Sequence, residues 1–494
     1  MTGQYMLLML VALFAGSIVS YIVGHWSKKP CKAAGLVALL ALLLSAVAFI
    51  PLAQQVAAGE LPLAAVGDGL FAITLQADAL SVFMIAVILL LSLAATIYSW
   101  NYMEEDEGVE KYYGLLLLMI AGMIGITLST DLFNLYLFFE LMAVSSYALV
   151  AFRKNNWEPI EAAFKYLVMS AVGSAFVLLG IAITFMYTGN LQFAAVAQNI
   201  TEVPTPVVLL LVALFLGGFG VKTAMAPLHT WLPDAHSAAP TGISAMLSGV
   251  VIETGFFAML KVLLNVFAGV NLTMGLVLAL FAVLTMFAGN LLALVQKDIK
   301  RMLAYSSVAQ IGYILMGIGL GIYYGAVSGL TGGLFHIMTH AFMKGLAFLC
   351  VGVIIHQIGT REISDMRGVG KYMPLTAAGF TIAALALAGV PPFSGFMSKW
   401  LIYNAGVEVG STIGIIFAAI AIANSILSLG YYLPVISAFY AKDTASEIHL
   451  HDAPTWCAVS IAGLIVLTVA LGIFPQVGLK FVYPAVNVIA GLIG

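Results

Sequence analysis

Residues Val221 to Lys261 read VKTAMAPLHTWLPDAHSAAPTGISAMLSGVVIETGFFAMLK. Lys222 closes one apolar run, Pro227, Pro233 and Pro240 surround a polar WLPDAH turn, and Glu253 sits deep in the next apolar run. A charge in a hydrocarbon layer is costly unless it is paired or wetted, and interrupted backbone is tolerated there only where it lines a cavity or is buried in protein. Two charges joined by such a break point to an ion path.

The rest of the chain fits that setting. Of its 494 residues 62% are hydrophobic and 8% charged, against about 25% charged in a soluble domain. Apolar runs of about twenty residues, the length that crosses a bilayer, recur from end to end. The expected spans are 4-24, 33-52, 77-99, 112-130, 132-152, 161-188, 206-226, 240-266, 272-295, 303-321, 324-356, 372-405, 411-439 and 456-478. This is an all-α polytopic membrane protein of about fourteen helices, with short loops and no room for a soluble domain. The net charge of -3 and the lack of a basic tail give no reason to expect nucleic acid. Cys31, Cys350 and Cys457 lie far apart, so neither a disulfide framework nor an iron-sulfur cluster is encoded, and any redox centre belongs to partner subunits.

Lysine and arginine collect in alternate loops: Lys28, Lys29 and Lys32; Lys111; Arg153 and Lys154; Lys297, Lys300 and Arg301; Arg361, Arg367 and Lys371; Lys442. The loops near 53-74, 189-204 and 406-410 have none. Cytoplasmic loops attract these residues, which predicts both termini outside. The first run, Tyr5 to Val23, has its lysines after it rather than before it, so it reads as a retained helix and not a secretory signal. The expected location is a prokaryotic cytoplasmic (inner) membrane.

Charges inside the spans carry the functional reading. Lys165, Lys222, Lys344 and Lys399 fall within predicted spans, where ionisable residues are functional by default. Lys261 and Lys480 lie near helix ends and are expected to snorkel to the interface. Glu104, Glu105, Asp106, Glu107 and Glu110 read as a solvated loop, whereas Glu140 and Glu253 sit in mid-span. An opposed Glu and Lys in a partly wet cavity can hand a proton along. His336, His340 and Lys344 are four residues apart and share one helix face. HxxxH is also a zinc-pair spacing, but the HExxH glutamate is absent and no third ligand is evident, so a proton relay is the better reading and no metal or cofactor is expected. His229 and His236 flank the WLPD break, where capping and ion handling compete. GGFGVKT mimics a phosphate loop, but Val221 stands where its last glycine must be and the segment follows no strand.

Internal repetition sets the organisation. Gly218-Phe219-Gly220-Val221-Lys222 echoes Gly395-Phe396-Met397-Ser398-Lys399 at an offset of 177, and Phe164-Lys165 echoes Phe335-His336 at 171. Both lysine copies lie beside prolines, Pro227 and Pro391-Pro392. Five-helix copies contain an odd number of crossings and must be inverted, as in transporters with sites at interrupted helices. The expected units are three N-terminal helices in 1-111, a first repeat in 112-266, an inverted second repeat in 267-440, and a last helix with a C-terminal tail in 441-494.

KTAMAPLHTWLPDAHSAAPT, QKDIKRMLAYSSVAQIGY, LFHIMTHAFMKGLAFL and PPFSGFMSKWLIY resemble signatures of the antiporter-like subunits of respiratory complex I, group 4 membrane-bound hydrogenases and Mrp-type cation/proton antiporters. The resemblance covers nearly the whole chain apart from the first three helices and the last. It implies fourteen helices, two inverted five-helix repeats, and breaks in the seventh and twelfth helices. It also implies that Glu140 pairs with Lys222, that His336, His340 and Lys344 form a relay, and that Lys399 ends the polar axis; Lys165 and His229 join the expected ion path on their positions within and beside the apolar spans alone. Glu253 departs from the family, which usually has a bridging lysine there. It either pairs with Lys222 in competition with Glu140 or is itself the bridge. The chain looks as if it ends soon after its fourteenth helix, without the long lateral helix of the largest complex I homologue. The implied activity is proton translocation, or sodium/proton exchange, by one subunit of a redox-driven complex. The alternative is a subunit of a Mrp-type multi-subunit Na+/H+ antiporter. Implied partners are other membrane subunits of a respiratory, hydrogenase or Mrp-type complex and the lipid bilayer. A catalytic site within the chain is not visible.

Overall fold

The computed structural model describes residues 3-67, 72-267, 270, 273-442 and 450-493. Residues 268, 269, 271 and 272, at the start of the expected 267-440 unit, and 443-449, in the expected 441-494 unit, lie outside the described residues. The first helices are α1 (Gln4–Trp26) and α2 (Pro30–Ala57), followed by a hairpin of β1 (Leu63–Val66) and β2 (Ile73–Gln76). Leu63 pairs with Gln76 in its antiparallel register. Next come α3 (Ala79–Tyr102), α4 (Val109–Leu128), α5 (Leu132–Val150), α6 (Trp157–Thr188) and the short α7 (Phe193–Asn199). Asp78 and Asp131 start α3 and α5 by accepting from the backbone N–H groups of Ser81 and Asn134 at 2.7 and 2.8 Å. Such caps satisfy donors that a helix N-terminus leaves orphaned.

The first expected break is present. Helix α8 (Thr205–Lys222) stops at the lysine, and α9 (Trp231–Ala238) starts only after the Pro227 segment. Ala224 within it has φ 55, a left-handed conformation that costs a non-glycine residue about 1–2 kcal/mol. Helix α10 (Thr241–Met246) runs through a π turn, Leu247–Val251, into α11 (Ile252–Phe267), one span in all. It is followed by α12 (Met274–Leu294), α13 (Ile299–Tyr324) and α14 (Val327–Ile358). The second break separates α15 (Pro374–Ala388) from α16 (Ser394–Glu408). Gly389 ends α15 with φ +84, which only glycine adopts without strain.

After α17 (Thr412–Phe439) and α18 (Thr455–Ile473), the structure departs from expectation. Where a tail was expected, Pro475–Ile493 forms α19, with Lys480 on it. Proline is well placed at the first position of a helix, where its missing N–H costs nothing, and no acidic residue interrupts this apolar segment. Gly472 at the end of α18 lies against the Pro392 carbonyl in the second break, and Gly478 in α19 lies against Phe335 and Met338. Leu492 at the far end lines a cavity with Asp78 and Lys261. Helices α18 and α19 therefore both pack along α3 and α14.

Among the described residues fourteen single helices are long and apolar enough to cross a membrane. Their burial ranks them. The apolar windows of α14, α13 and Thr241–Phe267 are 100%, 94% and 94% buried, while those of α2, α17 and α18 are 33% buried. A helix apolar on all sides and buried on all sides is central, so α11, α13 and α14 form the axis around which the others pack. The polar residues in the middle of those three helices, among them Glu253, Gln310, His336, His340 and Lys344, are consequently cut off from bulk water.

Candidate ion pathway

Lys222, the last residue of α8, is 1% exposed. Its Nζ donates to Ser170 Oγ at 2.7 Å and to Tyr166 OH at 3.4 Å, and lies 4.7 Å from the Tyr166 ring centre and 5.6 Å from that of Phe139. The expected Glu140–Lys222 contact pair is not formed. Glu140 instead accepts a hydrogen bond from Ser174 Oγ. Ser170 and Ser174 are one turn apart on α6, so the carboxylate and the ammonium hang on successive rungs of a serine ladder. Helix α6 supplies the nearer partner to each.

Helix α11 separates this pair from the rest. A Cβ on Gly255 would lie 3.2 Å from Lys222 Cβ, so the glycine lets α11 rest directly on the lysine. Glu253, two residues earlier, points about 200° away around the helix. Its Oε1 lies 2.6 Å from His340 Nδ1, and neither side chain is exposed. Of the two roles open to Glu253, pairing with Lys222 is thus excluded by helix geometry; its partner is a histidine of α14. Beside it, Ser248 in the π turn meets Ser307 of α13 at 2.6 Å.

From His340 the polar groups continue along α14 and outward. The His340 and His336 rings are nearly parallel, 6.0 Å apart. His336 Nε2 lies 2.9 Å from Gln310 Oε1 and Nδ1 2.8 Å from Ser398 Oγ. A carbonyl oxygen only accepts, so the proton of the neutral ring sits on Nε2. Gln310 Nε2 donates to the Leu387 carbonyl at 3.1 Å, which also accepts from Lys399 Nζ at 2.7 Å. That carbonyl is free because α15 ends one residue later. Lys399 also donates to Ser425 Oγ at 3.0 Å and sits 4.1 Å from the Tyr313 ring centre, while Ser425 meets Tyr403 OH at 2.6 Å.

Lys344 shares the histidine face but leaves the row. Its Nζ turns to α13, to Leu303 O at 2.8 Å and to Ser306 Oγ. Lys165 is not in the buried file at all: its side chain is 48% exposed and bridges Glu161 at 2.8 Å and Asp234 at 3.0 Å. Helix α6 extends beyond its expected start at 161 to Trp157, yet Lys165 remains near the end carrying Arg153 and Arg361, the basic face. Asp234 also binds Arg301 at 2.5 Å. Burial works to raise the Asp234 carboxyl, but the hydrogen bonds from Lys165 and Arg301 outweigh it and hold the group below its ordinary value. His229 sets its ring edgewise to Tyr305, centres 6.3 Å apart, rather than toward Lys222, and His236 stacks on Phe348.

Two other lysines differ from expectation. Lys261, expected at the interface, is buried and donates to Thr127 O at 2.5 Å. Lys300, expected in a basic loop, is buried and donates to the Ala239 carbonyl after α9 at 2.7 Å. The groups that sequence reading missed are neutral: Ser170, Ser174, Gln310, Ser398 and Ser425. A lone serine or glutamine in an apolar helix has no pattern that separates a relay from packing, and the signal available was that Gln310 and Ser398 fall within the quoted QKDIKRMLAYSSVAQIGY and PPFSGFMSKWLIY stretches.

Comparison with known proteins fits this geometry. Residues 129-428 match the family described as NADH:quinone oxidoreductase/Mrp antiporter, TM, and residues 64-113 match that described as NADH-Ubiquinone oxidoreductase (complex I), chain 5 N-terminus. The chain is 34% identical over 417 residues to F(420)H(2) dehydrogenase subunit N of Methanosarcina mazei, covering 82% of this chain and 83% of that protein. A chain of the membrane-bound sulfane sulfur reductase, an archaeal respiratory membrane complex, superimposes with a TM-score of 0.88 at 29% identity, covering 99% of this chain and 100% of the other. A chain of the Mrp complex from Dietzia sp. does so at 0.87 and 25% identity, over 100% and 99%.

Proposed function

This chain belongs to the NADH:quinone oxidoreductase/Mrp antiporter family of membrane subunits, and from that premise we propose that it moves protons along the Glu140 to Lys399 axis. One observation carries the reading: Glu253, His340, His336, Gln310, the Leu387 carbonyl and Lys399 follow one another through the buried centre. Movement of Glu140 toward or away from Ser174 changes the field on Lys222 one helical turn away. The lysine then exchanges its proton across α11 with the Glu253–His340 pair, and the histidines and Gln310 conduct to Lys399. Interacting sites titrate jointly, so charge entering at one end is felt at the other.

The units 1-111, 112-266, 267-440 and 441-494, with the two five-helix units inverted, are part of this reading, as is a cytoplasmic-membrane location with both termini outside. The outward apolar side chains, such as Val47, Phe164 and Ile426, face lipid. Partner membrane subunits complete a redox-driven complex, whose electron transfer they supply. A second reading, a secondary antiporter subunit exchanging Na+ for protons, is favoured by the full-length likeness to the Mrp chain.

The test is proton flux in membrane vesicles holding the whole complex, comparing wild type with Lys222→Ala, Glu140→Ala and Lys399→Ala. At least about a tenfold loss is expected for each, and unchanged flux with intact assembly removes the ion-path assignment. Flux driven by substrate oxidation supports the first reading, and flux driven by a Na+ gradient alone supports the second.

A further inference from the structure

Lys344 leaves the histidine row, and what it reaches leads to the surface. Ser306, its partner on α13, meets Tyr432 OH of α17 at 2.7 Å. The neighbouring Tyr431 packs its ring on that of Tyr432, centres 4.5 Å apart, and donates to Asn290 Oδ1 at 3.0 Å. Tyr431 also lines a cavity of about 470 Å³ together with Lys297, Met302, Glu362, Gly430 and Pro434. Lys297 and Glu362 belong to loops of the basic face, so the cavity opens there. Met302 in its wall lies one helical turn from Ser306 and next to Leu303, whose carbonyl holds Lys344. The rise of about 1.5 Å per residue puts the cavity wall about 6 Å from the lysine's serine partner. Pro434 lies inside α17 and has no N–H, which leaves the Gly430 carbonyl beside the cavity without its helical donor.

We infer that this cavity is a proton entrance from the basic face directly into the second half of the axis, with Tyr431 as its wall and Tyr432 and Ser306 delivering to Lys344. The inference rests on the proton-translocation reading and adds a second inlet to it. The transfer balances without any co-reactant. A hydrated proton in the cavity protonates Tyr432 Oη as that hydroxyl passes its own proton to Ser306 Oγ. Ser306 passes its proton to neutral Lys344 Nζ, leaving both hydroxyls restored and the lysine cationic. The aliphatic and aromatic surroundings exclude bulk water, so the two hydroxyls are the polar steps available between the Tyr431 ring and Nζ.

The test uses the whole complex in membrane vesicles, with proton flux normalised to assembled complex. Tyr432→Phe keeps the ring and removes the hydroxyl, and is expected to lower flux about tenfold. Ser364 lies in the cavity lining, and the native cysteines are buried. In Ser364→Cys, a membrane-impermeant thiol reagent added on the basic face is expected to lower flux several-fold, and the same reagent on the opposite face to leave it unchanged. Wild-type flux in Tyr432→Phe, or full labelling of Ser364→Cys without effect, overturns the entrance. If Lys222→Ala still abolishes flux in that case, the translocation reading stands without this inlet; if Lys222→Ala is also silent, it is the reading that fails.

Discussion

Glu253 and His340 meet at 2.6 Å in the middle of the molecule with neither side chain exposed, and each keeps one polar atom, Oε2 and Nε2, without a hydrogen-bond partner among the described residues. Breaking a buried pair by removing one member costs about 3–5 kcal/mol, whereas a neutral isostere keeps the hydrogen bond. Glu253→Ala is therefore expected to lower thermal stability in detergent sharply. Glu253→Gln should unfold close to wild type yet lose most proton flux. A Gln variant with full flux would show that the carboxylate is not a relay.

Gly255 tests the partition between the two halves. Its absent side chain lets α11 lie against Lys222. Gly255→Ala places a methyl at the limit of contact and should be tolerated with reduced flux. Gly255→Val should separate α11 from α8 and cost about 1–3 kcal/mol through overpacking. Thermal unfolding of the two variants checks the order.

Gln310 links His336 to the carbonyl that holds Lys399. Gln310→Leu keeps the volume but leaves His336 Nε2 and one lone pair of Leu387 O unsatisfied, at about 1–3 kcal/mol. Flux should fall at least about tenfold while the complex still assembles on a native gel. An equal fall in assembly and flux would make Gln310 a packing residue.

The Asp234 clamp gives a pH dependence at the basic face. Because its folded carboxyl lies below the ordinary 3.8, its contribution is present above that value and is lost as pH falls through the folded value. Partly exposed partners limit the effect to about 1 kcal/mol. Asp234→Asn should be less stable than wild type at pH 7, and the two melting curves should converge as pH drops below 3.8. A gap independent of pH would assign the loss to packing.

The break at Lys222, the axial histidines and the twelfth-helix lysine were legible in the sequence because a charge in a twenty-residue apolar run is conspicuous, and proline marks where such a run must open. Pairings were not legible. Glu140 and Lys222 look like an obvious couple until Ser174 and Ser170 of α6 are seen to take one each. Lys165 falls within an expected span as Lys222 does, but four residues from its start, and only the fold shows it bridging Glu161 and Asp234 at the basic face.

Fourteen crossings around a few stranded charges follow from hydrophobic length and charge content, which decide what enters a membrane. Which way each charge points is set by how the helices pack. Rotation of α11 sends Glu253 to His340 and Gly255 to Lys222, and a rotation of that kind is fixed by side-chain packing between helices distant in the chain. For the same reason α19, which looked like a tail, packs back into the bundle: its apolar face had α3 and α14 to cover.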